Sequence, residues 1–236
     1  MSSKDPIRIG IHGAAGRMGR RLVALAAEDP ELKIVAALEA PQHPQLGMDV
    51  GRLAGVDPIG VVLSADLGLT QPQVLIDFSA PEAANRVIQT CLDQQMSLVF
   101  ATTGLSAEQM ARLRDAAQSI PVLQAPNMSL SVNLGMKLVE LAAQALKDHD
   151  ADVEIIERHH RFKEDSPSGT ALAFGRLIAE KMGQTQHVHG RQGRTGRRRH
   201  EEIGYHAVRC GDDPGQHTIV FGMLGEVLEI TVRASS

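Results

Sequence analysis

Apolar residues recur along this chain in two rhythms, and the rhythm changes near its middle. In the first half, short apolar runs read as strands over residues 7–12, 33–38, 74–78, 98–101 and 122–124. Between them, apolar positions three and four apart predict helices over 16–28, 81–94 and 106–118. Strands alternating with helices of this length assemble as βαβ units around a parallel sheet. Pro81 suits a first helical turn, Ser79 can cap it, and Glu82 completes a capping box.

Beyond residue 129 the alternation stops. Residues 130–147 read as one long helix whose apolar face is Leu134, Leu138, Leu141, Ala145 and Leu146. A strand over 153–161, a polar loop and a helix over 168–182 follow. A glycine- and arginine-rich stretch, 183–200, precedes three strand-like runs at 203–209, 218–223 and 227–232, whose glycine-rich turns suit antiparallel pairing. The pattern predicts two domains: residues 1–129, α/β with a parallel sheet, and residues 130–236, a smaller α+β unit with a mixed or antiparallel sheet.

The turn after the first strand sharpens this picture. Gly13, Gly16 and Gly19 stand at three-residue spacing between a strand and a helix. Gly13 allows a tight turn, the middle of the loop lets backbone approach a pyrophosphate, and Gly19 allows helix and strand to pack closely. The helix N-terminus then faces the anion. Ala15 stands where the commoner G-x-G-x-x-G spacing has its second glycine. Glu39, just past the second strand, is placed to accept hydrogen bonds from adenosine ribose hydroxyls. The first domain therefore reads as a Rossmann-type dinucleotide-binding unit.

Composition narrows the partners. A net charge of −4, with one Tyr, five Phe and no Trp, gives little equipment for binding nucleic acid. No apolar run approaches the length of a membrane span, and the polar residues 1–5 do not resemble a signal peptide. A cytoplasmic location without a membrane partner is expected. Cys91 and Cys210, far apart and without a motif, read as reduced packing residues. No H-E-x-x-H or Cys/His pairing accompanies the ten histidines, so no metal is expected. Arg191, Arg194 and the run Arg197, Arg198, Arg199, among Gly190, Gly193 and Gly196, read as a mobile cationic flap suited to a dianionic substrate.

The densest chemistry lies between Glu157 and Ala171. His159, His160 and Lys163 fall at a strand end, and Ser168, Gly169 and Thr170 open a helix. Free N–H groups at Gly169 and Thr170 can hold a carboxylate, while two imidazoles and an ammonium supply donors and a proton source. From these residues alone, a catalytic site and a polar strand end beside a capped helix both remain open.

Four motifs, taken together, resemble those of the dihydrodipicolinate reductase family. They are G-x-x-G-R-M-G from Gly13 to Gly19, T-T-G at Thr102, Thr103 and Gly104, A-x-N-x-S at Ala125, Asn127 and Ser129, and E-x-H-H-x-x-K-x-D-x-P-S-G-T-A from Glu157 to Ala171. Their order matches across most of the chain. The resemblance implies a cytoplasmic reductase of 4-hydroxy-tetrahydrodipicolinate, a small dicarboxylate of diaminopimelate and lysine biosynthesis, using NADH and/or NADPH. It implies proton transfer by His159 and Lys163 and substrate binding by His160, Gly169 and Thr170. Cofactor contacts are implied at Gly13, Ala14, Ala15, Gly16, Arg17, Met18, Glu39, Ala101, Thr102, Thr103, Ala125, Pro126, Asn127 and Met128. A homotetramer built through the second domain's sheet is implied as well.

The departures are few. Ala101 stands where the family usually has glycine before T-T-G, and Ala40 where many members have arginine after the acid. Family members are expected to continue past Ala234 with a further segment, including a helix that returns to the nucleotide domain. Two other readings stay open at this point: an amino-acid dehydrogenase sharing only the nucleotide half, and a non-catalytic nicotinamide sensor.

Overall fold

The computed structural model describes residues 5–235; residues 1–4 of the expected polar lead, and Ser236, lie outside the described residues. The chain divides into two compact units, Met1–Pro126 and Asn127–Ser236.

The first unit is built on β1 (Ile7–His12), β2 (Leu32–Leu38), β3 (Leu63–Ser64), β4 (Val74–Asp77), β5 (Ser97–Phe100) and β6 (Val122–Gln124). They form one parallel sheet in the order β3-β2-β1-β4-β5-β6. This is the Rossmann order, and the direction of winding reverses between β1 and β4. Helices α1 (Arg17–Glu28), α2 (Val50–Ala54), α3 (Ala84–Asp93) and α4 (Ala107–Ala116) make the connections. One aliphatic cluster gathers Ile9, Ile11, Val23 and Leu63; another gathers Leu75, Ile88, Leu98, Phe100 and Leu113. Strands covered on both faces carry apolar residues almost continuously, which is why they were readable.

Two local features of this unit depart from the pattern in the sequence, for identifiable reasons. The short α2 and β3 carry no apolar period of their own, so residues 39–73 gave no warning of them. The capping box at Ser79 does not form, because the Ser79 hydroxyl donates to Asp77 (2.7 Å) and Ala80 becomes the N-cap of a 3-10 turn, Pro81–Ala83. Pro81 does open that turn. A reciprocal capping box is found instead at α4, between Ser106 and Gln109.

The second unit packs α5 (Leu130–Leu146) and α6 (Gly169–Met182) on one face of a five-stranded sheet. Its strands are β7 (Asp152–His159), β8 (Gln186–His189), β9 (Glu202–Arg209), β10 (Gln216–Met223) and β11 (Glu226–Arg233), in the order β11-β10-β7-β9-β8. Strict alternation along β7 buries Val153, Ile155 and Glu157 beneath the helices and turns Glu154, Ile156 and Arg158 to the other face.

Only part of the antiparallel expectation survives. β10 pairs antiparallel with β11 and with β7, whereas β9 runs parallel to both β7 and β8. The connection from Gly190 to Glu201 reaches the dozen-residue length that a parallel return needs. That same connection does not hang free as a flap. Arg191 bonds Glu154 and Glu202 (both 3.0 Å), and Arg198 bonds Asp152 (2.6 Å) and Glu154 (3.1 Å). Gly204 makes room for this anchor, since a Cβ there would overlap the Glu154 carboxylate. Burial alone would push the Glu154 carboxyl up, but Arg191, His206 and Arg198 hold it down to about 2.

The apolar face expected on α5 also turns the other way. Gly135, Val139 and Ala143 are its buried residues, while Leu134, Leu138 and Leu141 are exposed. A Cβ on Gly135 would lie 2.6 Å from Val232 Cγ1, so close packing selects the small residues and leaves the leucines outside. Cys91 is buried, and its thiol is pushed up to about 12 chiefly by burial, but Cys210 is exposed and is not a packing residue.

Candidate active site

At the carboxyl end of β1 the chain turns through Gly13 at φ +77°, where a side chain would be strained and its Cβ would meet Phe78 O at 2.5 Å. The Gly13 and Ala14 amides donate to Leu38 O (2.9 and 3.1 Å), which ties the loop to the end of β2. Gly19 packs against this turn so closely that a Cβ would stand 2.1 Å from Gly13 O. α1 begins after Gly16 with no side-chain cap and no acidic residue in its first turn. Its leading amides are therefore open to an anion. Arg17 and Met18 are exposed beside them. Glu39 reaches back from the end of β2 and accepts from the Ala15 amide at 3.2 Å.

The neighbouring strand ends are held by a buried acid. Asp77, fully buried, accepts from His12 Nδ1 (2.6 Å), Ser79 Oγ (2.7 Å) and Thr102 Oγ1 (2.6 Å). The Thr102 hydroxyl is thus occupied, while Thr103 beside it is exposed and Ala101 is buried. A cavity of about 310 Å³ lies between the sheet and α3, lined by His12 and Leu38 at the ends of β1 and β2, by Asp66, and by Arg86, Val87 and Thr90 of α3. Open parallel sheets take their ligands outside the carboxyl ends of the strands where the winding reverses, here between β1 and β4. The loop and the uncapped helix at the end of β1 fit the pyrophosphate of a dinucleotide. Ala125 and Pro126 close the first unit; Asn127 and Met128 open the second.

In the second unit the expected residues gather at the carboxyl end of β7 and the amino end of α6. His159 Nδ1 lies 2.5 Å from Glu157 Oε2. Glu157 is fully buried and also accepts both terminal nitrogens of Arg209 (2.8 and 2.7 Å) and the Ser168 amide (3.1 Å). Burial would raise the Glu157 carboxyl, but Arg209, His159 and the Ser168 amide outweigh it and keep the group below the usual carboxylate range. Ser168 caps α6 by accepting from the Ala171 amide (3.1 Å), and its hydroxyl meets His217 Nε2 at 2.9 Å. Burial, with His159 nearby, lowers His217 to about 4, so its ring is neutral at pH 7. The His159 and His217 rings meet edge to face, with centroids 5.2 Å apart.

His159 Nε2 faces Gly215, whose φ of +144° excludes side chains; a Cβ there would come within 3.1 Å of that nitrogen. Capping consumes the Ala171 amide, but the Gly169 and Thr170 amides have no intrahelical acceptor, and open space lies beside Gly169. Lys163 pairs with Asp165 at 2.7 Å and holds that carboxyl below its usual range against burial. His160 Nδ1 is buried with no partner among the described residues. Asn127 Nδ2 donates to Thr170 Oγ1 at 3.3 Å, joining a residue expected to bind cofactor to one expected to bind substrate.

Glu157, Arg209, Ser168, His217, Asp77 and His12 support the expected site residues, and none of the six is a site residue on sequence grounds. Glu157 carried a usable signal: an acid at a buried position in a strand's alternation, two residues before a histidine. Arg209 and His217 carried none, because only the sheet brings them to β7.

Family models described as dihydrodipicolinate reductase, N-terminus and C-terminus, match residues 7–128 and 131–236. A 4-hydroxy-tetrahydrodipicolinate reductase from Rhodopirellula baltica is 54% identical over 99% of this chain and 86% of its own length. A protein of the same name from Alkalilimnicola ehrlichii is 47% identical over 97% of this chain and 87% of its own length. Among solved structures, a dipicolinate-bound dihydrodipicolinate reductase from Paenisporosarcina sp. TG-14 is similar with a TM-score of 0.74 and 27% identity. That match covers 98% of this chain and 89% of that one. With both of its units matched and the signature residues assembled at the two strand ends, the chain belongs to the dihydrodipicolinate reductase family.

Proposed function

We propose that the chain reduces 4-hydroxy-tetrahydrodipicolinate to tetrahydrodipicolinate, within diaminopimelate and lysine biosynthesis. Bound NADH or NADPH supplies the hydride. In the first unit the amides from Gly13 to Met18 would take the pyrophosphate, and Glu39 the adenosine ribose. Ala101, Thr102, Thr103, Ala125 and Pro126 would frame the nicotinamide end. Asn127 and Met128 keep the cofactor assignment that their motif carries.

In the second unit, the open amides of Gly169 and Thr170 and the imidazole of His160 bind the substrate carboxylates without a matching buried charge. Water leaves the cyclic hydroxy-dicarboxylate, hydride adds to the conjugated imine, and carbanion character develops that a proton must quench. His159 holds that proton on Nε2, since Nδ1 is committed to Glu157. Lys163 stabilises the developing negative charge or assists the transfer. The observation that carries this reading is the orientation of His159, with one nitrogen bonded to a buried carboxylate and the other facing a residue without a side chain.

Two coarser features frame the proposal. No helix among the described residues is long and apolar enough to cross a membrane, and we place the chain in the cytoplasm. The sheet face away from α5 and α6 carries Ile156, Val208 and Val227, all exposed, which supports a homotetramer joined through this sheet. Purified chain given freshly made substrate should consume NADH or NADPH, read as loss of reduced-nicotinamide absorbance. Binding of either cofactor without turnover would replace this reading with the sensor. A monodisperse monomer by light scattering would overturn the assembly.

A further inference from the structure

We infer that Glu157 and Arg209 are positioning residues that act through His159: the carboxylate selects which imidazole nitrogen reaches the substrate, and the guanidinium leaves that imidazole free to give up its proton. The inference rests on His159 being the proton donor. The three side chains sit on one face of adjacent strands, with His159 opposite Arg209 across β7 and β9 and Glu157 opposite His217 across β7 and β10.

A fully buried carboxylate must be compensated by charge or hydrogen bonds. If His159 were the sole partner of Glu157, an imidazolium would be locked in place as its counterion and would be a poor acid. Arg209 removes that demand. Its two terminal nitrogens bond both carboxylate oxygens, and the Ser168 amide adds a further donor, so Glu157 stays ionised whichever form the ring takes. After the Nε2 proton leaves, the neutral ring keeps its Nδ1–H toward Glu157 Oε2. The ring is then in the tautomer that can be reprotonated on Nε2. Gly215 keeps the approach to that nitrogen free.

The charges facing His159 are few. Glu157 lies on its own strand, Arg209 on β9 and His217 on β10, and the Lys163–Asp165 pair follows in the loop. His217 is neutral at pH 7 and adds no competing cation. A carboxylate bonded to the ring and a cation bonded to that carboxylate carry opposite charges, so removing each must move the pH dependence of turnover in opposite directions. Generic damage to the fold would not do this.

The test compares Glu157→Gln, Glu157→Asp and Arg209→Met in the full chain, by kcat and kcat/KM against pH and by 15N NMR of the His159 ring. Glu157→Gln is expected to lower kcat roughly 10- to 100-fold, with KM changed by less than about threefold. The alkaline fall of kcat/KM should move to lower pH, and the single Nδ1–H tautomer should be lost. Arg209→Met should move the same limb to higher pH, and Glu157→Asp should recover part of the rate. Glu157→Gln combined with His159→Gln should be no slower than His159→Gln alone. Shifts of the same sign, no shifts, or multiplying losses in the double variant would overturn the inference. If Glu157→Gln does not fold, Glu157→Asp and Arg209→Met still decide the sign. If His159→Gln keeps its turnover, the donor assignment fails by itself, and the ring NMR still tells whether Glu157 sets the tautomer.

Discussion

The end of β1 and the end of β7 are the two strand ends proposed to bind ligands, yet they are made of opposite materials. At β1 the groups offered to a ligand are main-chain amides, exposed by Gly13 and Gly19 and by an uncapped helix. At β7 they are charged and titratable side chains, held in place by one buried carboxylate that takes donors from β7, β9 and the head of α6. A main-chain site tolerates changes of side chain but not an added Cβ beside its backbone. A side-chain site tolerates bulk at its margins but not the loss of one hydrogen-bonding atom. Each unit should therefore fail in its own way.

The largest effect belongs to β7. His159→Gln removes the Nε2 proton while leaving the cradle of Gly169 and Thr170 intact, so turnover should fall by ~10²–10⁴-fold with little change in the Michaelis constant for substrate. Affinity for NADH, measured without substrate, should stay as it was. Turnover near that of the parent would move the donor role to Lys163 or a bound water. The converse change is Gly19→Ala at β1. Its Cβ would stand 2.1 Å from one backbone atom and 2.6 Å from another, neither able to swing aside. A loss of about 3 kcal/mol in stability, with weakened cofactor binding, is expected from denaturant unfolding and calorimetric titration. A stable variant with unchanged cofactor affinity would show that the loop can yield.

How much of this was legible before the structure follows the same division. The β1 end is local, because strand, glycine loop and helix are consecutive, and three glycines and Glu39 suffice to read it. The parallel sheet was legible too, since its strands are apolar on both faces. The β7 end was legible only along its own segment, where His159, His160, Lys163, Gly169 and Thr170 stand close in sequence. Arg209 and His217 join it through pairing across β9 and β10, and pairing leaves no mark on local spacing. The reversal on α5 has a similar origin. Leucines and small residues both make apolar stripes, and only the approach of Val232 to Gly135 decides which stripe is buried. The arginines of the Gly190–Glu201 connection looked like free cations because their partners Asp152 and Glu154 lie on a strand far back in the chain.

A third experiment uses acid to separate the two units. His217 has its value lowered in the fold, from 6.5 to about 4, by burial first and by His159 next. Between those values the unfolded chain binds a proton that the folded chain refuses, so stability rises with pH across the window and is lost as pH falls through it. The loss should reach about 3 kcal/mol near pH 4. The single tyrosine, Tyr205, is buried in the second unit's core, so its emission reports that unit alone. His217→Gln should lower stability at neutral pH and flatten the dependence from 6.5 to 4. An equally steep dependence in that variant would place the titrating group elsewhere. A smaller effect is expected of Thr170→Val, which loses the bond from Asn127 and a hydroxyl at the proposed substrate cradle but keeps the amide. The Michaelis constant for substrate should rise by about fivefold to tenfold, with kcat changing less. A fall in kcat as large as that of His159→Gln would make Thr170 part of the chemistry.

The smallest effect is the choice between NADH and NADPH, and it tests the main-chain site at its one charged point. Glu39 stands at the end of β2 with its carboxylate against the Ala15 amide, where ribose hydroxyls would exchange with that bond. A 2′-phosphate brought to the same place would meet a carboxylate, and like charges at that separation disfavour it. Ala40, the next residue, offers no guanidinium in compensation. Arg17 does carry one on the glycine loop and is exposed, so the repulsion is offset in part rather than left whole. Both cofactors should therefore support turnover, with NADH used at least as well as NADPH in steady-state kinetics. Glu39→Gln should remove the repulsion and raise kcat/KM for NADPH relative to NADH by a few-fold, without touching kcat at saturating cofactor. A parent enzyme that prefers NADPH by more than about tenfold, or a Glu39→Gln variant with an unchanged ratio, would mean that Glu39 does not read the ribose and that the amides alone select the cofactor.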